Sequence, residues 1–91
     1  MADDEPAPTT DDEIERTIFA LLRQRDAAAS ICPSDVARAL ASKAPAWRAL
    51  MPAVRRVAAV LAERGSLRVT RGADEVDAMS PGGPIRLRRS K

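Results

Sequence analysis

The chain has no histidine and no tyrosine, one cysteine, one tryptophan and one phenylalanine. Each shortage excludes something. Without histidine it lacks the side chain that most often moves protons at neutral pH and most often ligates metals. Cys32 stands alone, so neither an internal disulfide nor a paired-thiolate metal site can form. Carboxylates would have to hold a metal by themselves, and none cluster at ligand spacing. There is no glycine-rich phosphate loop of the Walker or dinucleotide type. The expectation is a domain that is not an enzyme and carries no catalytic residues, no cofactor and no metal.

Long apolar runs are missing too. No stretch approaches the ~18 consecutive apolar residues that a bilayer-crossing helix needs. The opening residues include Asp3, Asp4 and Glu5, the reverse of a basic, then apolar, secretory leader. A cytoplasmic location with no membrane contact is therefore expected.

What the chain does have is alanine and arginine. Eighteen of its 91 residues are Ala, and thirteen of its fifteen basic residues are Arg. A small domain buries a low fraction of its surface, so the few large apolar residues must nearly all enter one core. Charge is segregated along the chain. Residues 1–30 hold eight acids and three bases, a balance of −5, and residues 31–91 hold five acids and twelve bases, a balance of +7. Such asymmetry suits an anionic partner for the basic part, or an acidic tail that screens it. An ordinary solvated surface explains it equally on composition alone.

Residues 1–10 are acidic and rich in proline, with no large apolar residue after Met1. They read as a disordered acidic tail. A first helix is predicted from Thr10 or Asp11, because Thr10 and Glu13 have capping-box spacing. Ile14, Ile18, Leu21 and Leu22 then share one face. Ser30-Ile31-Cys32 reads as a very short strand, since Pro33 forces Cys32 to be extended. A second helix over 33–41 buries Val36, Ala37 and Leu40. Pro52 breaks the helical pattern that follows. The prediction is a short turn through Trp47–Met51 and a regular helix from Pro52 to Arg64, with one kinked helix as the alternative. Gly65 fits its C-terminal cap.

Leu67–Arg71 and Ile85–Arg88 alternate apolar with polar, as half-buried strands do. The turn formers of Gly72–Pro84 join them as a long loop. The predicted fold is α+β: a winged helix-turn-helix of three helices followed by a β-hairpin wing, with a very short strand between helices one and two. The domain spans 11–89, and 90–91 form a C-terminal tail.

Ile31-Cys32-Pro33-Ser34-Asp35-Val36-Ala37-Arg38-Ala39-Leu40, Trp47-Arg48-Ala49-Leu50-Met51-Pro52-Ala53-Val54-Arg55 and Gly83-Pro84-Ile85-Arg86-Leu87 resemble a small bacterial family of unassigned function. Gly65 and Val69-Thr70 belong to the same pattern. The resemblance covers roughly residues 14–88 and implies a winged-helix fold. It implies no activity.

The functional reading rests on arginine. The face of the third helix away from Val54, Val57 and Leu61 carries Arg55 and Arg56, joined by Arg48 if the helix runs straight. In a helix-turn-helix this face enters the major groove, where Arg can fork onto guanine edges or phosphate. Arg68, Arg86 and Arg88 should project outward from the hairpin strands and contact phosphate. They would equally protect an edge strand from aggregation. Nucleic-acid (DNA) binding through helix three and the basic strands is the leading reading. The alternative is a protein-interaction or dimerisation module, in which an apolar patch near Phe19, Val60 or Met79 meets a partner or a second copy. Asp74, Glu75 and Asp77 in the wing repel phosphate and weigh against DNA there. Trp47 is expected to plug the core at the start of helix three rather than anchor a partner. Cys32 is expected to be buried rather than reactive.

Overall fold

The computed structural model describes residues 9–26 and 28–90. Apart from Thr9 and Thr10, the predicted acidic tail lies outside the described residues, as does Lys91. The element order is α1 (Asp11–Arg23), β1 (Ser30–Ile31), α2 (Pro33–Leu40), α3 (Ala44–Glu63), β2 (Leu67–Arg71), β3 (Asp74–Glu75) and β4 (Arg86–Arg89). This is an α+β fold, three helices with a four-stranded antiparallel sheet in the order β1-β4-β2-β3. The arrangement is consistent with a winged helix.

Local chemistry sets the helix ends. The Thr10 hydroxyl accepts from the Glu13 amide at 3.2 Å, and the Glu13 carboxylate accepts from the Thr10 amide at 3.1 Å. Two free N–H groups of the α1 N-terminus are thereby satisfied. Helix α2 starts on Pro33, and the Asp35 carboxylate accepts from the Cys32 amide at 3.0 Å. Helix α3 ends at Gly65, whose φ is 76°. Gly65 N–H donates to the Ala62 carbonyl and Ser66 N–H to the Leu61 carbonyl, the paired bonds of a Schellman cap.

Several expectations change. The predicted turn through Trp47–Met51 does not form. Helix α3 is continuous for 20 residues with Pro52 inside it. Trp47, Leu50, Val54, Val57, Ala58 and Leu61 all touch or enter the core, at spacings that keep one stripe intact for four turns. Breaking the helix would strip the first two from it. Pro52 itself is exposed, so water can serve the carbonyl whose bond it removes. Pro45 occupies the first turn, where a missing N–H costs nothing.

The long loop after β2 contains a further strand. Gly72, with φ 63°, and Ala73 make a two-residue turn, and β3 pairs back on β2 with Arg71 opposite Asp74. Glycine at the first central position with positive φ is the signature of a II′ hairpin turn. The last strand begins at Arg86 rather than Ile85, although Ile85 is buried as predicted.

The core is one cluster. Ile14, Ile18 and Leu22 of α1, Val36 of α2 and Val54, Val57 and Leu61 of α3 meet Ile31, Leu67, Val69, Ile85 and Leu87. Leu21 and Leu40, expected inside, are partly buried at its edge, as is Leu50. Trp47 is also only partly buried, and Cys32 is half-exposed. The Cys32 Sγ lies 3.1 Å from the Ser34 Oγ, so the thiol reaches a polar neighbour instead of the interior. No described helix is long and apolar enough to cross a membrane.

Candidate nucleic-acid interface

The six arginines singled out from the sequence fall in three places. On α3, Arg48 and Arg55 are seven residues apart and share a flank. Arg48 is exposed and Arg55 half-buried. Arg56 is one residue on, about 100° round the helix, and turns towards α1. Its Nη2 donates to Asp11 Oδ1 at 2.7 Å, with both side chains more than half exposed. This is the one ion pair among the described residues. The pair offsets part of the Arg56 charge, weakly because both groups are exposed to water.

Arg68, Arg86 and Arg88 do come together, on the sheet. Strand pairing sets Arg68 opposite Arg88 and Thr70 opposite Arg86, with Ser30 opposite Arg88 on the other side. Side chains alternate across a sheet. Leu67, Val69, Leu87 and Ile31 therefore face the helices, and the three arginines share the outer face. They are half-buried, as they lie along the surface and bond to it. Arg86 holds Ser30 through Nε to Oγ at 2.8 Å and Nη2 to the carbonyl at 3.1 Å. Arg88 Nε donates to Thr70 Oγ1 at 3.1 Å and Nη1 to the Ala28 carbonyl at 3.2 Å. Arg68 Nε donates to the Arg89 carbonyl at 3.0 Å. They point outward as expected, but they also tie β1, β2 and β4 together.

Two basic residues that were not singled out join the α3 site. Arg38 of α2 places its Cζ 4.5 Å from the centroid of the Trp47 ring, and Arg48 Cζ stands 5.4 Å from it. Cation–π attraction thus draws the two helices' arginines to one indole. Lys43 is the N-cap residue of α3 and is exposed. The signal that could have found them is an absence. Residues 36–62 contain five bases and no carboxylate. That stretch is the end of α2, the turn and nearly all of α3. Exposed Ala39, Ala44, Ala46 and Ala49 separate its cations and present little bulk to an approaching surface.

Acid gathers at the opposite end. Asp74, Glu75 and Asp77 of the wing are exposed. A shallow groove between the wing and the C-terminal half of α3 is lined by Glu63, Asp77, Ala59 and Met79. The basic end of α3 is therefore its N-terminal end, next to α2.

The acidity of Asp35 is shifted. Burial pushes its carboxyl up. The Cys32 amide and thiol and the fields of Arg25 and Arg86 outweigh this and hold it below the ordinary value of 3.8. This is the chemistry of a helix cap, not of a proton-transfer site. No three metal-ligating side chains among the described residues gather to hold an ion.

No curated protein matches the chain. A family model does, over residues 11–90, which takes in every element of the fold. The chain belongs to the family described as "Protein of unknown function (DUF3253)".

Proposed function

We propose that the chain is a non-catalytic nucleic-acid-binding domain that engages duplex DNA through the corner between α2 and α3. Arg38, Lys43, Arg48 and Arg55 are its contacts. The supporting observation is the carboxylate-free stretch of residues 36–62, folded as two helices that meet at Trp47. A phosphate backbone attracts cations and is repelled by nearby acids, so a corner between two helices whose residues 36–62 hold five bases and no acid satisfies both conditions. Arg48 and Arg55 on one flank of α3 suit base edges or phosphate, and Arg38 and Lys43 suit phosphate. The acidic wing and the Arg56–Asp11 pair lie outside this surface.

Binding of a fluorescent duplex, read by anisotropy across a salt series, tests the reading. About four neutralised phosphates give a log–log slope near −3 to −4. Replacing Arg48 and Arg55 by Ala should weaken binding and flatten the slope. A flat salt response in the native protein would remove the proposal. Trp47 fluorescence should change on binding, because the two cations beside its ring are among those engaged.

A protein-interaction role has less support. Among the described residues the two exposed large apolar side chains are Val60 at 39 % and Met79 at 54 %. Val60 lines the groove between α1 and α3, Met79 the groove at the wing, and Phe19 a third site beside Ser66. They make no common patch, and single exposed apolar side chains are ordinary. A solution mass that rises with concentration would revive the homodimer.

A further inference from the structure

The outer face of the sheet carries three arginines that form no ion pair among the described residues. Arg68 and Arg88 are directly opposite each other on neighbouring strands, and Arg86 is two residues from Arg88 on the same face. Like charges opposite one another across strands are destabilising unless something offsets them. No carboxylate among the described residues lies within ion-pair distance of the three. Asp35 is close enough to feel Arg86 but is occupied with its own helix cap. Glu75 faces the same side opposite Thr70, at the exposed edge of the sheet, and pairs with none of them.

Each guanidinium is held by neutral oxygens: Ser30 and its carbonyl, Thr70, and the carbonyls of Ala28 and Arg89. These bonds fix orientation and leave the charge intact. They also leave donors over. Arg86 Nη1, Arg88 Nη2 and both Nη atoms of Arg68 have no bond among the described residues. Three pinned cations with unused N–H groups on adjacent strands need little reordering to receive an anion, which lowers the entropic cost of binding. A carboxylate brings one negative charge on two oxygens, which offsets only one of the three guanidinium charges. Three positive charges, with a free fork on Arg68 and a spare Nη on each of Arg86 and Arg88, suit a tetrahedral dianion, which offers more acceptor oxygens and more charge.

We infer that Arg68, Arg86 and Arg88 form a phosphate-binding site on the outer face of the sheet, separate from the α2–α3 corner. The ligand class is a phosphate monoester or free phosphate. The site does not depend on the DNA-binding reading, because it uses none of the residues assigned to it.

Titration of the full chain with inorganic phosphate, followed through the arginine Nε–H resonances by NMR, tests this. Those protons are hydrogen-bonded in all three residues and should exchange slowly enough to be seen. Phosphate should shift them saturably, half-complete below about 1 mM, while chloride at matched ionic strength should not. Arg68→Lys keeps the charge and loses the fork, and should weaken phosphate binding about tenfold. Arg88→Gln should abolish it, with circular dichroism reporting that the fold persists. Should Arg88→Gln unfold, the native titration still decides. Absence of saturable shifts in the native protein overturns the site. So do shifts confined to Arg38, Arg48 and Arg55. Shifts of the sheet arginines with duplex DNA but not with phosphate also overturn it, and would assign that face to a nucleic acid.

Discussion

At the scale of single residues, several long-range contacts join an arginine side chain to a backbone carbonyl. Arg71 shows how such a contact constrains a neighbour. Its Nε donates to the Gly83 carbonyl at 3.1 Å and its Nη2 to the Ser80 carbonyl at 3.4 Å. The guanidinium thereby fills the place of a side chain at Gly82, where an added Cβ would stand 2.9 Å from Arg71 Cζ. Gly82 also has φ 138°, a conformation that L residues avoid. Gly82→Ala should cost about 1–3 kcal/mol in a urea titration. In an Arg71→Gln background the clash is gone and the backbone strain remains, so the cost should fall but not vanish. Equal costs in both backgrounds would mean that the two residues do not touch.

Asp35 gives the pH dependence. Its folded acidity is held below the ordinary value of 3.8, so the folded state stabilises the charged carboxylate. That contribution is complete above the unfolded value and is lost as pH falls through the folded one. Asp35→Asn should cost about 0.5–1 kcal/mol near neutrality, modest because the carboxylate is half-exposed. The gap between the two proteins should close on acidification below about pH 4, measured by thermal melts. A gap that is unchanged with pH would show that the carboxylate charge contributes nothing. The Thr10–Glu13 box and the Gly65 cap were legible in the sequence because their partners are three to five residues away. The Arg71–Gly82 contact was not, because it depends on where a loop closes.

At the scale of elements, the periodicity of apolar residues located every helix and both long strands. It failed where a propensity rule was given priority over it. Proline argued for a break at position 52, whereas the stripe from Trp47 to Leu61 argued for continuity, and the stripe prevailed. Burial along four turns outweighs one missing bond on the wet side of a helix. The prediction is that Pro52→Ala raises stability, by about 1–3 kcal/mol, since it restores a bond and removes a clash in a helix that already exists. Part of that gain is offset because alanine loosens the unfolded chain. A lower melting temperature for Pro52→Ala would mean that the helix relies on a proline-induced bend. The short β3 escaped notice because two exposed, acidic residues carry no strand pattern. It forms from the turn at Gly72, which hands the chain back to β2.

At the scale of the whole molecule, what the sequence could not disclose is how distant segments share partners. The expectation of outward arginines on the hairpin held, but their acceptors are mostly backbone carbonyls, which have no signature in a sequence. Arg89 is the clearest case. It lies on the inner face at the end of β4, and its Nη2 donates to the Leu22 carbonyl at 2.7 Å and to the Arg25 carbonyl at 3.4 Å. The last strand thus satisfies the end of the first helix. Strand β1, between α1 and α2, pairs with that same strand through Ile31 opposite Leu87. The basic surface was legible only in part for the same reason. The cations were visible, but Arg56 turned to Asp11, and Arg38 was gained through Trp47.

These cross-connections make the sheet and the helices one unit rather than a helical bundle with an attached wing. Leu87 is the residue through which the claim can be tested. It is fully buried and sits between Ile31 and Val69 on the face that meets the helices. Truncating a buried leucine costs about 2–5 kcal/mol, against the about 5–15 kcal/mol that holds a typical domain together. Leu87→Ala should therefore lower the melting temperature by on the order of 10 °C or more. More tellingly, it should do so in one transition. Trp47 fluorescence reports the α2–α3 corner, on the far side of the core from the substitution, and far-ultraviolet circular dichroism reports the helices. If the sheet seals the helices, both signals must move together, since a hairpin alone is marginal and three helices with one open face expose their apolar stripes to water. If Trp47 kept its native signal after the mutant sheet had melted, the helices would be stable alone, and the close coupling between the wing and the α2–α3 corner would be lost with it.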